Sequence, residues 1–233
     1  MKKNLTLLAS AMFFIATLAS CSNDDDYNNG HTNGNDNGYD NGGDEPPPPP
    51  PTPPFTLVAQ VENGHSLNDR VSYVVAITDN VSRHELARAS FADGGFTLTL
   101  PTSVDTSYLI SIFDRFDERF INVSDSDLKI SQIIINGLSA SDNRIVEFYY
   151  GGVITYNMAQ LVTGETFFFY ADRDATVVGT FRDGHLSHNI DVSFRKGWNR
   201  VYVTFTQTGV VSLNMAYSSE PISSDYLEWG FFE

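Results

Sequence analysis

The chain has 233 residues, 29 acids against 14 lysines and arginines, a formal net charge of −15 and one cysteine. Charge of this sign repels phosphate backbones and excludes nucleic acid as a partner; a single cysteine excludes a disulfide framework. The length allows one or two domains, but the first 54 residues do not read as part of a globule.

Lys2 and Lys3 precede an apolar run from Leu5 to Leu18 that contains Met12, Phe13, Phe14 and Ile15. An ordinary spanning helix needs about 20 apolar residues, and this run is shorter. A basic start, a short apolar stretch and small residues before a cleavage point form the pattern of a secretory signal, so residues 1–20 are expected to be a signal peptide. Exported domains often carry paired cysteines, yet residues 22–233 have none. The Cys21 thiol is therefore expected to act at the processing site. Leu18-Ala19-Ser20-Cys21 resembles the lipobox of bacterial lipoproteins, which implies that Cys21 is acylated and becomes the mature N-terminus. One acyl chain anchors only marginally, each buried methylene contributing about 0.8 kcal/mol, and such lipoproteins typically carry three. The run Asp24, Asp25 and Asp26 is similar to the acidic signal that sends Bacteroidetes lipoproteins to the outer face of the outer membrane. By composition alone it is a solvated charge cluster.

Residues 21–54 are expected to be a lipidated, disordered tether. Asn-Gly recurs at 29–30, 33–34, 37–38 and 41–42, and so polar and glycine-rich a segment buries too little apolar surface to offset its ordering entropy. It lacks the Asp-x-Asp-x-Asp-Gly order and closing Glu of a calcium loop. Residues 46–54, PPPPPPTPP, should form a polyproline II rod of about 28 Å. The coil before it adds roughly 27 Å root-mean-square.

From Phe55 onward the dominant period is two. Phe55, Leu57, Ala59 and Val61 form one inward row; Val71, Tyr73, Val75 and Ile77 a second; Phe96, Leu98 and Leu100 a third. Ile190, Val192 and Phe194, then Val211, Leu213, Met215 and Tyr217, repeat the pattern. The best helix candidate, residues 125–136, ends in Ile133-Ile134-Ile135, a β-branched run that favours a strand. Turns are expected at Asn63-Gly64, Asp93-Gly94-Gly95, Asn136-Gly137, Asp183-Gly184, Lys196-Gly197 and Thr208-Gly209. This predicts an all-β globule, an antiparallel β-sandwich of two small immunoglobulin-like or prealbumin-like modules. Their expected bounds are 55–120 and 121–233, with the break in the polar stretch between Asp114 and Asp127.

GGFTLTLP (94–101), YADRDATVVGTF (170–181), FRKGWNRVYVTF (194–205) and YLEWGFF (226–232) resemble landmarks of a recurrent family of uncharacterised Bacteroidetes surface lipoproteins. The resemblance implies a tethered β-rich exterior protein and brings no activity, substrate or site residue.

Chemistry-bearing motifs are sparse. Gly-x-Ser-x-Gly, Gly-x-x-x-x-Gly-Lys and His-Glu-x-x-His are missing from the chain. His185 and His188 fall on opposite faces of a strand, with His188 inward beside Ile190 and Val192, so no metal site is expected there. The clusters DRFDE (114–118), DSD (125–127) and DRD (172–174) are interleaved with or closely followed by Arg or Lys and read as loop decoration rather than a carboxylate pair for sugar hydrolysis. Two further options at Asp125 and Asp127, or at Asp172 and Asp174, are structural calcium sites. On the strand from Trp198, Val201, Val203 and Phe205 are expected inward and Trp198, Arg200 and Tyr202 outward, a row that could grip a sugar unless it packs beneath a loop. Trp229 is expected to close the core. These features favour a non-catalytic, outer-membrane, surface-exposed lipoprotein that binds a glycan or protein, needs no cofactor and meets the membrane through its lipid. A structural or adhesive envelope component is the second reading, and an enzyme the least favoured.

Overall fold

Period-two patterning becomes strand at nearly every place it occurs. The computed structural model describes residues 53–80, 82–139, 145–156, 160–208 and 212–232, all within the unit Thr52–Glu233. Cys21, Asp24, Asp25 and Asp26 lie outside the described residues. In chain order the strands are β1 (Thr56–Gln60), β2 (Tyr73–Thr78), β3 (Glu85–Ala92), β4 (Gly95–Thr99), β5 (Ile110–Ser111), β6 (Ile121–Val123) and β7 (Lys129–Leu138). They continue as β8 (Ile145–Tyr156), β9 (Gln160–Ala171), β10 (Ala175–Asp183), β11 (Leu186–Phe194), β12 (Gly197–Thr208), β13 (Ser212–Ser218) and β14 (Glu228–Phe232). A one-turn helix, α1 (Ile112–Arg115), follows β5. The Ser111 hydroxyl accepts from the Phe113 N–H at 3.3 Å and the Asp114 carboxylate from the Ser111 N–H at 3.1 Å, a capping box on a helix too short to show a period.

The fold is all-β. One open sheet runs β1-β4-β3-β2-β7-β8-β9-β12-β13-β11-β10-β6, with β14 added to β8 and β5 to β7. It stays a single path by forking. β7 pairs with β9 over Ile130–Ile133, then with β8 over Ile135–Leu138, and β8 in turn rejoins β9 from Gly151. A second wedge is filled by β13, which is antiparallel to β12 and parallel to β11. The expectation of an antiparallel sheet is corrected at that one ladder. β11 and β12 leave their short turn antiparallel, so a strand inserted between them must run with one of the two.

Two cores result. In the first, Leu57, Ala59 and Val61 pack with Phe91, Phe96, Leu98, Val74, Ala76, Ile133, Ile135, Val146, Phe148, Phe168 and Trp229. In the second, Ile112, Leu128, Ile130, Phe169 and Ala171 pack with Val177, Ile190, Val192, Val201, Val203, Met215 and Tyr217. The cores do not divide the chain near residue 120. β7 gives Ile133 and Ile135 to one and Ile130 to the other, and β9 gives Phe168 to one and Phe169 to the other. A strand shared in this way turns its two faces to two interiors, so both faces read as apolar.

Two further expectations change. Alternation places Tyr73, Val75 and Ile77 inward on β2, but the first core takes Val74 and Ala76, and Val75 is buried as well. Both faces of this interior strand are covered, which removes the contrast that alternation relies on. Asn136-Gly137 is not a turn but part of β7. A Cβ on Gly137 would stand 2.7 Å from the Phe148 ring and 2.9 Å from Val71, so the glycine is there for close packing. Asp93-Gly94 does turn the chain, with φ of 51° and 76°, as a two-residue hairpin loop requires.

Candidate functional site

Each acidic loop cluster is tied to a cation or a backbone N–H. Asp117 accepts from the Arg119 side chain and backbone, and the guanidinium holds its carboxyl down at about 2. Asp174 accepts from the Lys196 N–H at 2.7 Å and pairs with Arg195 at 3.2 Å; the first bond, then the second, keeps it below the ordinary carboxylate range. Arg173 sits between the other two clusters, 3.1 Å from Asp172, 3.3 Å from Asp125 and 3.8 Å from Asp127. A guanidinium thus pairs with both Asp125 and Asp127, while Asp172 is held by Arg173 and Asp174 by Arg195 and the Lys196 N–H. Among the described residues, no group of three or more His, Cys, Asp or Glu is placed to hold a metal ion.

Around that guanidinium the chain forms a recess of about 360 Å³ lined by Ser111, Ser126, Asp127, Lys129 and Arg173. Its walls come from three elements. Ser111 and Lys129 are cross-strand partners on β5 and β7. The turn before β7 brings Ser126 and Asp127, with the Asp127 N–H donating to Asp125 at 3.0 Å. The turn after β9 brings Arg173. That turn is pinned to β7 by the Lys129 N–H donating to Asp172 at 2.9 Å and the Asp172 N–H donating to the Lys129 carbonyl at 3.1 Å. Burial opposes ionisation of Asp172, but the Arg173 side chain and the Lys129 N–H outweigh it and hold the carboxyl low. Arg173 therefore clamps two turns together, and the polar lining is preorganised.

The aromatic row expected on β12 has the parity proposed for it, with Val201 and Val203 buried on the opposite face. It does not form an open platform. Trp198 lies partly buried against the first core, 6.3 Å from Phe55 and 5.4 Å, edge-on, from Tyr170. Its Nε1–H donates to the Pro101 carbonyl at 2.7 Å. The Arg200 guanidinium lies over the Phe55 ring at 5.5 Å, and Tyr202 is half-buried opposite Thr166 on β9. The residue that covers Trp198 is at the far end of the chain's folded part, so alternation along β12 could not reveal it. Trp198→Ala is expected to lower stability by about 2 kcal/mol through lost packing and a lost indole hydrogen bond, read in urea unfolding, without changing the recess.

The two histidines are separated, His188 lying on β11 and His185 in the turn before it. His188 is buried and stacked on Phe181 at 4.2 Å, and His185 is exposed.

Two features have no signature in the order of residues. The recess has none because its five residues come from two turns and two strand ends with no shared period. The other is a pair of carboxyls at the β7–β8–β9 fork. Glu165 is pushed up to about 7, first by burial and then by the Glu147 charge. Glu147 is raised by burial and by Asp79, with Arg83 opposing. Tyr149, between them on the same face of β8, is raised by burial and by the charges of Glu62, Glu228 and Glu165. Glu147 stands across the ladder from Asn136 and Glu165 across from Gly151, four residues apart along β8. Glu165 stands across the ladder from Val203 of the second core, and its raised carboxyl couples a proton to folding. Compared with known proteins, the chain matches no family model, no curated protein and no solved structure.

Proposed function

We propose that this chain is an outer-membrane lipoprotein, anchored through Cys21 and displayed on the cell surface, whose β-rich globule is a non-catalytic binding module. The observation that carries the binding reading is the recess of Ser111, Ser126, Asp127, Lys129 and Arg173. It offers hydroxyls, a carboxylate and cations on walls clamped before any ligand arrives, and its volume is at the lower end of the roughly 300–1,000 Å³ usual for ligand pockets. Such a lining suits a hydroxyl-rich ligand, and a glycan is the class we favour over a protein.

A glycan array probed with the full detergent-solubilised chain tests the ligand class. Retention of at least one glycan is expected, with Trp198→Ala leaving the pattern unchanged. A folded chain that retains none removes the reading. For placement, Cys21→Ala should move the protein out of the membrane fraction, and replacing Asp24, Asp25 and Asp26 should reduce protease access on intact cells. An unchanged membrane fraction would overturn the anchor.

A structural or adhesive role is the second reading, supported by β1. This terminal strand carries no charge, and Val58 is 72% exposed on it, so it lacks the charges that usually protect a sheet edge. Cross-linking between copies through residues 56–60 would favour it.

A further inference from the structure

We infer that the recess binds a sugar unit that carries one carboxylate beside its hydroxyls, a uronic acid, with Lys129 as the partner of the ligand carboxylate and Asp127 as the acceptor for a neighbouring hydroxyl. This rests on the binding-module reading and names its ligand class.

The two cations of the recess are not equivalent. Arg173 spends its charge on Asp172, Asp125 and Asp127. Among the described residues Lys129 enters no ion pair, and its side chain is exposed at the recess wall while its backbone N–H holds Asp172. One of the residues lining the recess therefore carries an exposed positive charge that enters no ion pair among the described residues. The hydroxyls are arranged as donors: Ser111 Oγ already accepts from the Phe113 N–H at 3.3 Å, which leaves its proton for a ligand, and Ser126 adds a second hydroxyl.

The acidic side sets the upper limit on ligand charge. Asp127 is 83% exposed and only 3.8 Å from Arg173, and it is backed by Asp125 and Asp172. A phosphate or sulfate-rich ligand would place multiple negative charges against three carboxylates, where like charges disfavour binding. A neutral sugar would leave the exposed Lys129 ammonium hydrated and gain nothing from its charge. A single carboxylate flanked by hydroxyls answers both sides, pairing with Lys129 and donating hydroxyl protons to Asp127.

The experiment is calorimetric titration of the full detergent-solubilised chain with a galacturonic acid disaccharide and, separately, with the corresponding galactose disaccharide. Binding of the acidic sugar at least about tenfold tighter is expected, equivalent to about 1.4 kcal/mol. Lys129→Met should bring the two affinities together, and Asp127→Asn should weaken both. Raising salt should weaken the acidic arm alone, since only that arm contains a charge pair open to screening; this holds for the unmutated chain and does not depend on any variant folding. Equal affinities that ignore Lys129→Met and salt would overturn the uronic acid assignment while leaving glycan binding in place. No binding of either disaccharide by a chain that retains some other glycan on the array would overturn it too. Failure on every glycan would instead remove the binding reading on which it rests.

Discussion

Glu165→Gln is expected to stabilise the globule at pH 8 by roughly 2–3 kcal/mol and to flatten its pH–stability curve between about 4.5 and 7. In the folded chain the carboxyl titrates at about 7, against 4.5 for the ordinary group. The folded state thus binds the proton more tightly, and stability falls with pH wherever the folded state holds more protons. Below about 4.5 both states are protonated and nothing is lost. As pH rises toward 7 the unfolded chain ionises first, and above 7 the folded chain must carry the charge as well. The full loss is on the order of 3 kcal/mol, each tenfold of proton affinity being about 1.4 kcal/mol. Glutamine keeps the shape and removes the charge, so it should behave at every pH as the protonated wild type does. Glu147 is raised for the same reason, and Asp79 adds to its load while Arg83 relieves it. Part of the slope should therefore survive in Glu165→Gln and disappear in the double variant with Glu147→Gln. Urea midpoints from pH 4.5 to 8.5 measure both. A variant that is no more stable than wild type at pH 8 would show that Glu165 ionises without penalty.

Trp229→Ala should produce the largest loss of any single truncation, about 3–5 kcal/mol. Trp229 is 7% exposed and lies 5.3 Å from Phe96, 5.3 Å from Tyr150 and 6.1 Å, nearly parallel, from Phe168. Those rings come from β4, β8 and β9, so one indole joins strands that are far apart in the chain. Its carbonyl also accepts the Glu62 N–H at 2.7 Å, and Val61 bridges to it in parallel, which brings β14 against the end of β1. Truncation would leave a cavity lined by aromatic faces that cannot collapse onto one another. Trp229→Phe, which keeps most of the packing, should lose less than half as much. Near-equal losses for the two would mean that the indole's size is not what the core requires.

Much of this is legible in the order of residues alone. Leu57, Ala59 and Val61, then Phe96 and Leu98, then Ile190, Val192 and Phe194 all face inward as alternation requires, because each lies on a strand with one face toward a core and the other toward water. The β-branched run Ile133-Ile134-Ile135 is strand, and Trp229 is core, for equally local reasons of branching and bulk. The proposed export, acylation and display rest on Cys21 and its neighbours, which lie outside the described residues.

Tertiary structure decided the rest wherever a residue's surroundings come from elsewhere in the chain. Val74 rather than Val75 faces the first core, and Gly137 packs against Phe148 instead of turning, because β2 and β7 are interior strands with both faces covered. The β12 row was legible as a row, but Phe55 and Pro101 covering Trp198 was not. The recess around Arg173 and the Glu147–Glu165 pair exist only because separate turns and strands converge. By itself the sequence determined an all-β globule, through local patterns of apolarity. Only the three-dimensional arrangement decided which carboxylates are paired with a guanidinium, which are half-buried, and which cation enters no ion pair, because charge and burial depend on neighbours that the chain order does not place side by side.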